Sequence, residues 1–195
     1  MEKNIMKKEI GIYIHIPFCK QKCYYCDFCS YAGEENKIEE YFKYLNQEIV
    51  EVGQANKIDY QEDRDKLLYV KTIYIGGGTP SYVDSKYIKE IMKNVYENFE
   101  VDKDAEITIE VNPGTVIQEK LQDYIEAKIN RISIGLQSTN NETLKQIGRI
   151  HTFEQFLETY NIANEVGFKN INVDLIIGLP NQTTEQIEKE ITEIV

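Results

Sequence analysis

The sequence predicts an α/β fold in which about five parallel strands form a sheet with helices outside it. Short runs rich in Ile, Val and Tyr alternate with longer segments of helical spacing, a pattern typical of βα units. At 195 residues the chain has room for one domain or for part of a larger one. Hydrophobic residues at 42% and charged residues at 28% argue against a disordered or fibrous chain.

The elements follow from periodicity. Buried strands are predicted at residues 10–16, 68–75, 106–111, 131–136 and 170–177. Amphipathic helices are predicted over 38–52 and 87–99, with further helices at 116–127, 141–147, 153–166 and from 184 onward. Gly167 is expected to end the helix at 153–166. The polar stretch 53–66 is expected to be a surface excursion.

Charge and hydropathy exclude several classes of function. The 22 Lys and Arg residues against 33 Asp and Glu give a net charge of −11, which disfavours sequence-independent binding to nucleic acid or to anionic membranes. No run of about 18 apolar residues exists, and the N-terminal stretch has no small-residue cleavage site. We therefore expect no integral membrane segment and a cytoplasmic location.

All four cysteines lie between Cys19 and Cys29, so a disulfide framework is not expected and metal or redox chemistry is favoured. Cys19, Cys23 and Cys26 form C-x3-C-x2-C directly after the first strand. Three thiolates from one loop can hold zinc or an iron–sulfur cluster. A structural zinc site usually takes a second pair of ligands, which the sequence lacks; a zinc-stabilised, non-catalytic binding module stays the alternative. A [4Fe-4S] cluster held by three cysteines leaves one iron open to another ligand.

A glycine-rich loop follows the second strand. In the string GGGTP, the residues from Gly76 to Gly78 let the backbone approach a ligand without an intervening Cβ. By itself the string also fits an ordinary strand-to-helix turn. It is neither a P-loop nor a dinucleotide-binding fingerprint, because neither spacing opens the next helix.

Four polar residues complete the candidate site. Glu110 and Gln137 end the third and fourth strands, and Arg149 offers a fork that suits a carboxylate, although a surface salt bridge is its simpler interpretation. Asp174 lies among apolar residues of the fifth strand, where a carboxylate needs a partner, such as a pair of ribose hydroxyls. Because the carboxyl ends of parallel strands share one rim, the cysteine loop, the glycine loop, Glu110 and Gln137 should lie together.

These strings carry a family resemblance. YIHIPFCKQKCYYCDF, GGGTPS, EVNPG, SIGLQS, LKQIGRIH and NVDLIIGLPNQT occur in this order from Gly11 to the C-terminus. Together they resemble the radical S-adenosylmethionine (SAM) superfamily, in the branch that contains oxygen-independent coproporphyrinogen III oxidases and HemW-type heme chaperones. The resemblance implies a partial (β/α) barrel, a [4Fe-4S] cluster on Cys19, Cys23 and Cys26, and SAM bound at the open iron. Family members use the reduced cluster to cleave a C–S bond of SAM.

The resemblance also implies contacts to SAM. They map onto Tyr13, Gly77, Gly78, Thr79, Glu110, Gln137, Arg149 and Asp174. By itself, Tyr13 is more simply interpreted as a core tyrosine. The family further implies a heme or porphyrin partner and an electron donor that the sequence does not identify.

The residues after the third cysteine distinguish the two branches. The oxidase branch carries an extra cysteine two residues after the third ligand, whereas here Cys26 is followed by Asp27, Phe28 and Cys29. This string resembles the HemW type, so a role in heme handling is the leading hypothesis and Cys29 is interpreted as a non-ligand. The oxidase, an enzyme that acts on the propionate side chains of coproporphyrinogen III, is the alternative. Whether the chain is an enzyme stays open, and no catalytic residue is assigned.

Length acquires a different meaning once the family is considered. The partial barrel that the resemblance implies has six strands, and the sequence supplies five. We therefore expect residues 1–195 to be an incomplete radical SAM core domain that stops before the last barrel strand and lacks a C-terminal domain. Such a fragment is expected to be poorly soluble or inactive. His15 and His151 are expected to be hydrogen-bonded structural residues.

Overall fold

The structure of the protein, a computed structural model, describes residues 8–62 and 68–195. The strands in this part of the chain are β1 (Lys8–Ile16), β2 (Phe18–Cys19), β3 (Tyr31–Ala32), β4 (Leu68–Gly77), β5 (Glu100–Val111), β6 (Arg131–Gln137) and β7 (Asn170–Leu175). Five of them form one parallel sheet in the order β1-β4-β5-β6-β7. The predicted α/β class and the five parallel strands are confirmed.

The helices alternate with the strands, as predicted. They are α1 (Ile38–Glu62), α2 (Ser85–Asn98), α3 (Gln118–Glu126), α4 (Asn141–Gln146), α5 (Phe153–Val166) and α6 (Thr184–Ile194). Helix α5 has the predicted bounds because both of its ends are encoded locally. Thr152 and Gln155 form a capping box at its start, and Gly167 ends it in the left-handed conformation with φ of 110°.

One predicted loop is wrong over most of its length. Residues 53–66 were expected as a surface excursion, but α1 continues through Glu62; residues 63–67 lie outside the described part. Gly53 packs against α2, where an added Cβ would lie 2.5 Å from the Asn98 Cβ. Asn56 is buried, and its side-chain oxygen accepts a hydrogen bond from the Leu68 amide at 3.3 Å. Gly53 and Asn56 thus lie on the packed face of α1.

The two faces of the sheet differ in polarity. Ile75, Ile109 and Ile134 are buried on one face, which packs with α1, α2, α3 and α5 into one hydrophobic core. Because strand side chains alternate, the residues between them point the other way. Glu110 and Ser133 are paired in register on that second face, which carries the site described below.

No helix in the described ranges is both long enough and apolar enough to cross a lipid bilayer.

A candidate cluster and cofactor site at the carboxyl end of the sheet

The cysteine loop is bounded by the short parallel pair of β2 and β3, which the sequence analysis missed because each strand has only two residues. Cys19 ends β2, and all four cysteines are free thiols. The side chain of Lys22 bridges two carbonyls of this loop. Its ammonium donates to the carbonyl oxygens of Phe28 at 2.8 Å and Ser30 at 3.2 Å. The cysteines are thus carried by a hydrogen-bonded loop.

The same loop is fastened to a segment more than 120 residues away. The Tyr24 amide donates to the Ile147 carbonyl at 3.0 Å, and the Gln21 side chain donates to the Gly148 carbonyl at 3.0 Å. Gly148 has φ of 79°, and an added Cβ there would lie 3.2 Å from the Tyr24 backbone nitrogen. This contact brings Arg149 to the cysteine loop.

The glycine loop lies against the other side of the cysteine loop. The Gly78 amide donates to the Ile16 carbonyl at 2.7 Å, and the Thr79 amide donates to the Phe18 carbonyl at 2.8 Å. A Cβ on Gly78 would lie 2.8 Å from the Phe18 carbonyl oxygen and 3.0 Å from the Cys19 sulfur. Glycine is required at position 78 because these two loops touch.

One cavity lies between these loops and the polar face of the sheet. Its cavity volume is about 140 Å³, or about 710 Å³ when all the space between atoms and out to open solvent is included. Among the residues that line it are Cys19, Cys23, Cys26, Gly77, Gly78, Thr79, Glu110, Gln137, Arg149 and Asp174. The structure therefore brings together the three predicted cluster ligands and seven of the eight residues that the resemblance assigned to SAM.

Glu110 supplies one carboxylate to the cavity. The Tyr74 hydroxyl donates to its Oε1 at 2.9 Å, and the Gly77 amide donates to its Oε2 at 3.2 Å. Burial raises the pKa of the Glu110 carboxyl, and the nearby charge of Asp174 adds to this rise, while the two hydrogen bonds oppose it. A cationic group in the cavity would therefore stabilise the ionised form of Glu110.

Asp174 supplies the second carboxylate. The predicted fifth strand runs to residue 177, which places Asp174 several residues before its end. In the structure β7 ends at Leu175, so Asp174 lies at the carboxyl end of its strand. Ser133 donates to its Oδ2 at 3.0 Å, and Asn172 donates to its Oδ1 at 2.7 Å. The partner that a half-buried carboxylate requires is thus supplied in part by the protein itself.

Arg149 and Gln137 also line the cavity. Nη2 of Arg149 donates to the Gly135 carbonyl and, at 3.0 Å, to Oδ1 of Asn112. Its Nη1 lies 3.7 Å from the Cys23 sulfur. Nε of Arg149 is buried and has no hydrogen-bond partner within the described residues. Gln137 ends β6 with φ of 74°, a left-handed conformation that is uncommon outside glycine.

Tyr13 is the predicted contact that does not line the cavity. Its ring stacks on Tyr74 at 6.2 Å between centroids, its hydroxyl is 3.0 Å from Nδ1 of His15, and its side chain is 59% exposed. Nε2 of His15 is in turn 2.8 Å from the Cys29 carbonyl oxygen. Tyr13 is therefore not a core residue, and among the described residues it contacts Tyr74 and His15.

The two histidines are hydrogen-bonded, as expected for structural residues. His151 is buried with Nε2 at 3.1 Å from the Leu136 carbonyl oxygen. Burial lowers the pKa of His151 to about 4, and the positive charge of Arg149 contributes to this shift. His151 is therefore neutral at pH 7, with Nε2 as the donor. Burial likewise raises the pKa of Tyr25, on the cysteine loop, to about 12.

Comparison with known proteins identifies the family. The sequence model of the radical SAM superfamily matches residues 13–194. The chain belongs to the radical SAM superfamily. The heme chaperone HemW of Haemophilus influenzae is 40% identical over 180 residues, which cover 91% of this chain and 45% of that protein. The oxygen-independent coproporphyrinogen III oxidase of Escherichia coli is 36% identical over 182 residues, which cover 92% of this chain and 37% of the oxidase.

The solved structures agree with this membership. The coproporphyrinogen III oxidase HemN from Escherichia coli, described as a radical SAM enzyme, matches with a TM-score of 0.83 and 31% identity. The match covers 98% of this chain and 42% of that chain. The present chain thus spans less than half the length of these radical SAM relatives.

The sequence analysis did not single out several polar residues of this radical SAM site. Asn112, Ser133 and Tyr25 line the cavity, and Tyr74 bonds Glu110 from the neighbouring strand. Asn112 could have been identified from the sequence. It follows Glu110 by two residues in the string EVNPG and so lies at the end of the same strand. Tyr74 and Ser133 could have been found from the period of two that places them on the polar face.

Within residues 8–62 and 68–195, no three Cys, His, Asp or Glu side chains are grouped so that they could share one metal ion.

Proposed function

We propose that this chain is the cofactor-binding core of a HemW-type radical SAM protein that acts in heme handling. In this proposal Cys19, Cys23 and Cys26 hold a [4Fe-4S] cluster, and SAM binds in the cavity beside them. The observation that carries the proposal is that one cavity is lined by all three cysteines and by seven residues that match the family's SAM contacts. Radical SAM membership and the 40% identity to HemW support it.

The polar groups around the cavity fit those of SAM. Glu110 and Asp174 are acceptors suited to an amine and to ribose hydroxyls, and the guanidinium of Arg149 is a donor group suited to a carboxylate. Gly77 and Gly78 line the cavity with their backbone, and their missing side chains let the loop pack against His15 and the cysteine loop. When bound, the reduced cluster supplies the electron that cleaves SAM. The residues that line the cavity bind and orient SAM. Arg149 lies beside the sulfur of Cys23.

The HemW type is favoured over the oxidase by the residues after Cys26. Cys29 is exposed and is not among the residues that line the cavity, in agreement with a non-ligand. The oxidase remains the second candidate because the HemN structure matches with a TM-score of 0.83. In either case the partners we propose are a heme or porphyrin and an electron donor of unknown identity.

Anaerobic reconstitution tests the cofactor part of the proposal. The reconstituted chain should be brown, and dithionite should produce a reduced-cluster EPR signal that changes when SAM is added. Cys23→Ala should abolish this signal, whereas Cys29→Ala, the same change at the exposed cysteine, should retain it. Colourless protein with stoichiometric zinc would instead support the zinc-stabilised binding module, and a full cubane in Cys23→Ala would refute the ligand assignment.

Two assays on a full-length protein that contains this chain separate the branches, since residues 1–195 alone are expected to be inactive. The HemW-type proposal predicts that added heme binds with a shifted Soret band and that coproporphyrinogen III is not decarboxylated. Decarboxylation of coproporphyrinogen III without heme binding would favour the oxidase.

A further inference from the structure

Asn112 connects two of the residues that reach the cluster thiols. It follows β5 directly, and its side chain lies between Arg149 and Thr79. Nη2 of Arg149 donates to Oδ1 of Asn112 at 3.0 Å, and Nδ2 of Asn112 donates to Oγ1 of Thr79 at 3.0 Å. At the outer ends, the Thr79 hydroxyl lies 3.5 Å from the Cys19 sulfur, and Nη1 of Arg149 lies 3.7 Å from the Cys23 sulfur. One hydrogen-bonded chain thus joins two thiols.

The direction of this chain is set by the guanidinium. An arginine side chain can only donate, so the oxygen of the Asn112 amide must face Arg149 and its NH2 group must face Thr79. The Thr79 hydroxyl then accepts from Asn112, and its own proton is directed to the Cys19 sulfur. Both ends of the chain are therefore donors to sulfur.

Asn112 is itself held in place. Its backbone amide donates to the Ser81 hydroxyl at 3.0 Å, and its carbonyl accepts from the Thr115 hydroxyl at 2.6 Å. Pro113 follows it and restricts its backbone to extended conformations. Its side chain therefore presents one fixed acceptor and one fixed donor to its two neighbours.

We propose that Asn112 is a positioning residue that keeps hydrogen-bond donors on the thiolates of Cys19 and Cys23 and thereby raises the reduction potential of the cluster. Donors to the sulfur ligands stabilise the more negative, reduced state of an iron–sulfur cluster. This inference rests on the proposed function, because it requires the cluster. It goes beyond that function because it assigns control of the reduction potential to Asn112, a residue that does not bind the cluster.

The test uses Asn112→Asp and Thr79→Val, singly and combined. A carboxylate at position 112 accepts from Arg149 but also accepts from the Thr79 hydroxyl, which turns that proton away from Cys19. Midpoint potentials are measured by EPR-monitored redox titration of the reconstituted chain, without SAM and at matched iron content. Each single change should lower the midpoint potential. Asn112→Asp should lower it less in the presence of Thr79→Val, because only the effect of the added charge then remains.

Three further variants complete this test: two are controls, and one replaces Asn112→Asp if that variant takes up no cluster. Thr79→Ser keeps the hydroxyl and should retain the unaltered potential. Thr108→Val removes another buried hydroxyl of the sheet, one that accepts from Arg131 at 3.2 Å, and should leave the potential unchanged. If Asn112→Asp takes up no cluster, Asn112→Ser replaces it in the same cycle, since it removes the bridge without adding charge.

The possible outcomes are distinguishable. If the unaltered chain takes up no cluster, the proposed function and this inference are both overturned. If the cluster forms but the shifts of Asn112→Asp and Thr79→Val are additive, or if Thr79→Ser behaves like Thr79→Val, the inference alone is overturned. A smaller shift in the combined variant, with Thr79→Ser unchanged, supports it.

Discussion

Replacing Gly78 by alanine should separate the glycine loop from the cysteine loop. The backbone of Gly78 adopts no conformation restricted to glycine, so the effect of the change is steric. The new Cβ would lie 2.8 Å from the Phe18 carbonyl oxygen, 2.9 Å from the Pro17 carbonyl carbon and 3.0 Å from the Cys19 sulfur. To reach an ordinary contact of 3.4 Å, the loops must move apart by about 0.6 Å.

This movement has an energetic cost that can be worked out. Overpacking against backbone atoms costs about 1–3 kcal/mol. It also strains the hydrogen bonds from the Gly78 and Thr79 amides, which are 2.7 and 2.8 Å long. We expect a loss of about 2 kcal/mol in the free energy of unfolding, which for a chain of this length corresponds to a fall in Tm of about 5 °C. The reconstituted variant should also lose most of its bound iron, because Cys19 moves with the loop.

Circular dichroism melts of the chain without its cluster and iron analysis after reconstitution measure the two effects. Gly33→Ala is the matched control, because no atom lies within 4 Å of an added Cβ there. Its φ of 77° is left-handed, so alanine should cost about 1 kcal/mol of stability while iron binding stays complete. Gly78→Ala with an unaltered Tm and full iron content would refute the reasoning.

Four other predictions concern single side chains. Tyr124→Phe should raise the free energy of unfolding by about 1 kcal/mol in urea titrations, since this buried hydroxyl has no partner within the described residues. Tyr41→Phe removes a hydroxyl that donates to a backbone carbonyl and should lower the free energy of unfolding by a similar amount. The contribution of His151 to the free energy of unfolding should fall by about 3 kcal/mol as the pH drops from about 6.5 to 4, because only the unfolded state protonates His151 in this range. A free energy of unfolding with the same pH dependence in His151→Gln would contradict this. Lys22→Met should speed release of iron to a chelator, because two carbonyls of the cysteine loop lose their donor.

The elements that were predicted correctly are those whose signals are local. The periodicity and the caps of α5 lie within the helix itself and next to it, so its bounds could be read from the sequence. The second half of α1 could not, because its packed residues Gly53 and Asn56 contact Asn98 and Leu68, which lie farther along the chain. The pair of β2 and β3 has two residues in each strand, too few for any periodic pattern.

The position of the candidate site could be predicted from the sequence, but the contacts among its side chains could not. The rule that parallel strands end at one rim brought the cysteine loop, the glycine loop, Glu110 and Gln137 to one cavity. That rule gives no information about which side chains bond one another. The contacts of Arg149 to Asn112 and to Cys23 depend on how the loop at Gly148 packs against Tyr24, which only the folded structure reveals.

The sheet carries a signal that the strand predictions did not use. Strands buried on both faces should be apolar throughout, yet polar residues recur at every second position, as with Ser133 in β6 and with Asn172 and Asp174 in β7. Such alternation within parallel strands means that helices cover only one face. The other face is then available for a ligand along the strands as well as at their ends. The hydrogen bonds from Ser133 and Asn172 to Asp174 lie on this face, so a ligand in the cavity would meet carboxylates that are already oriented by the sheet.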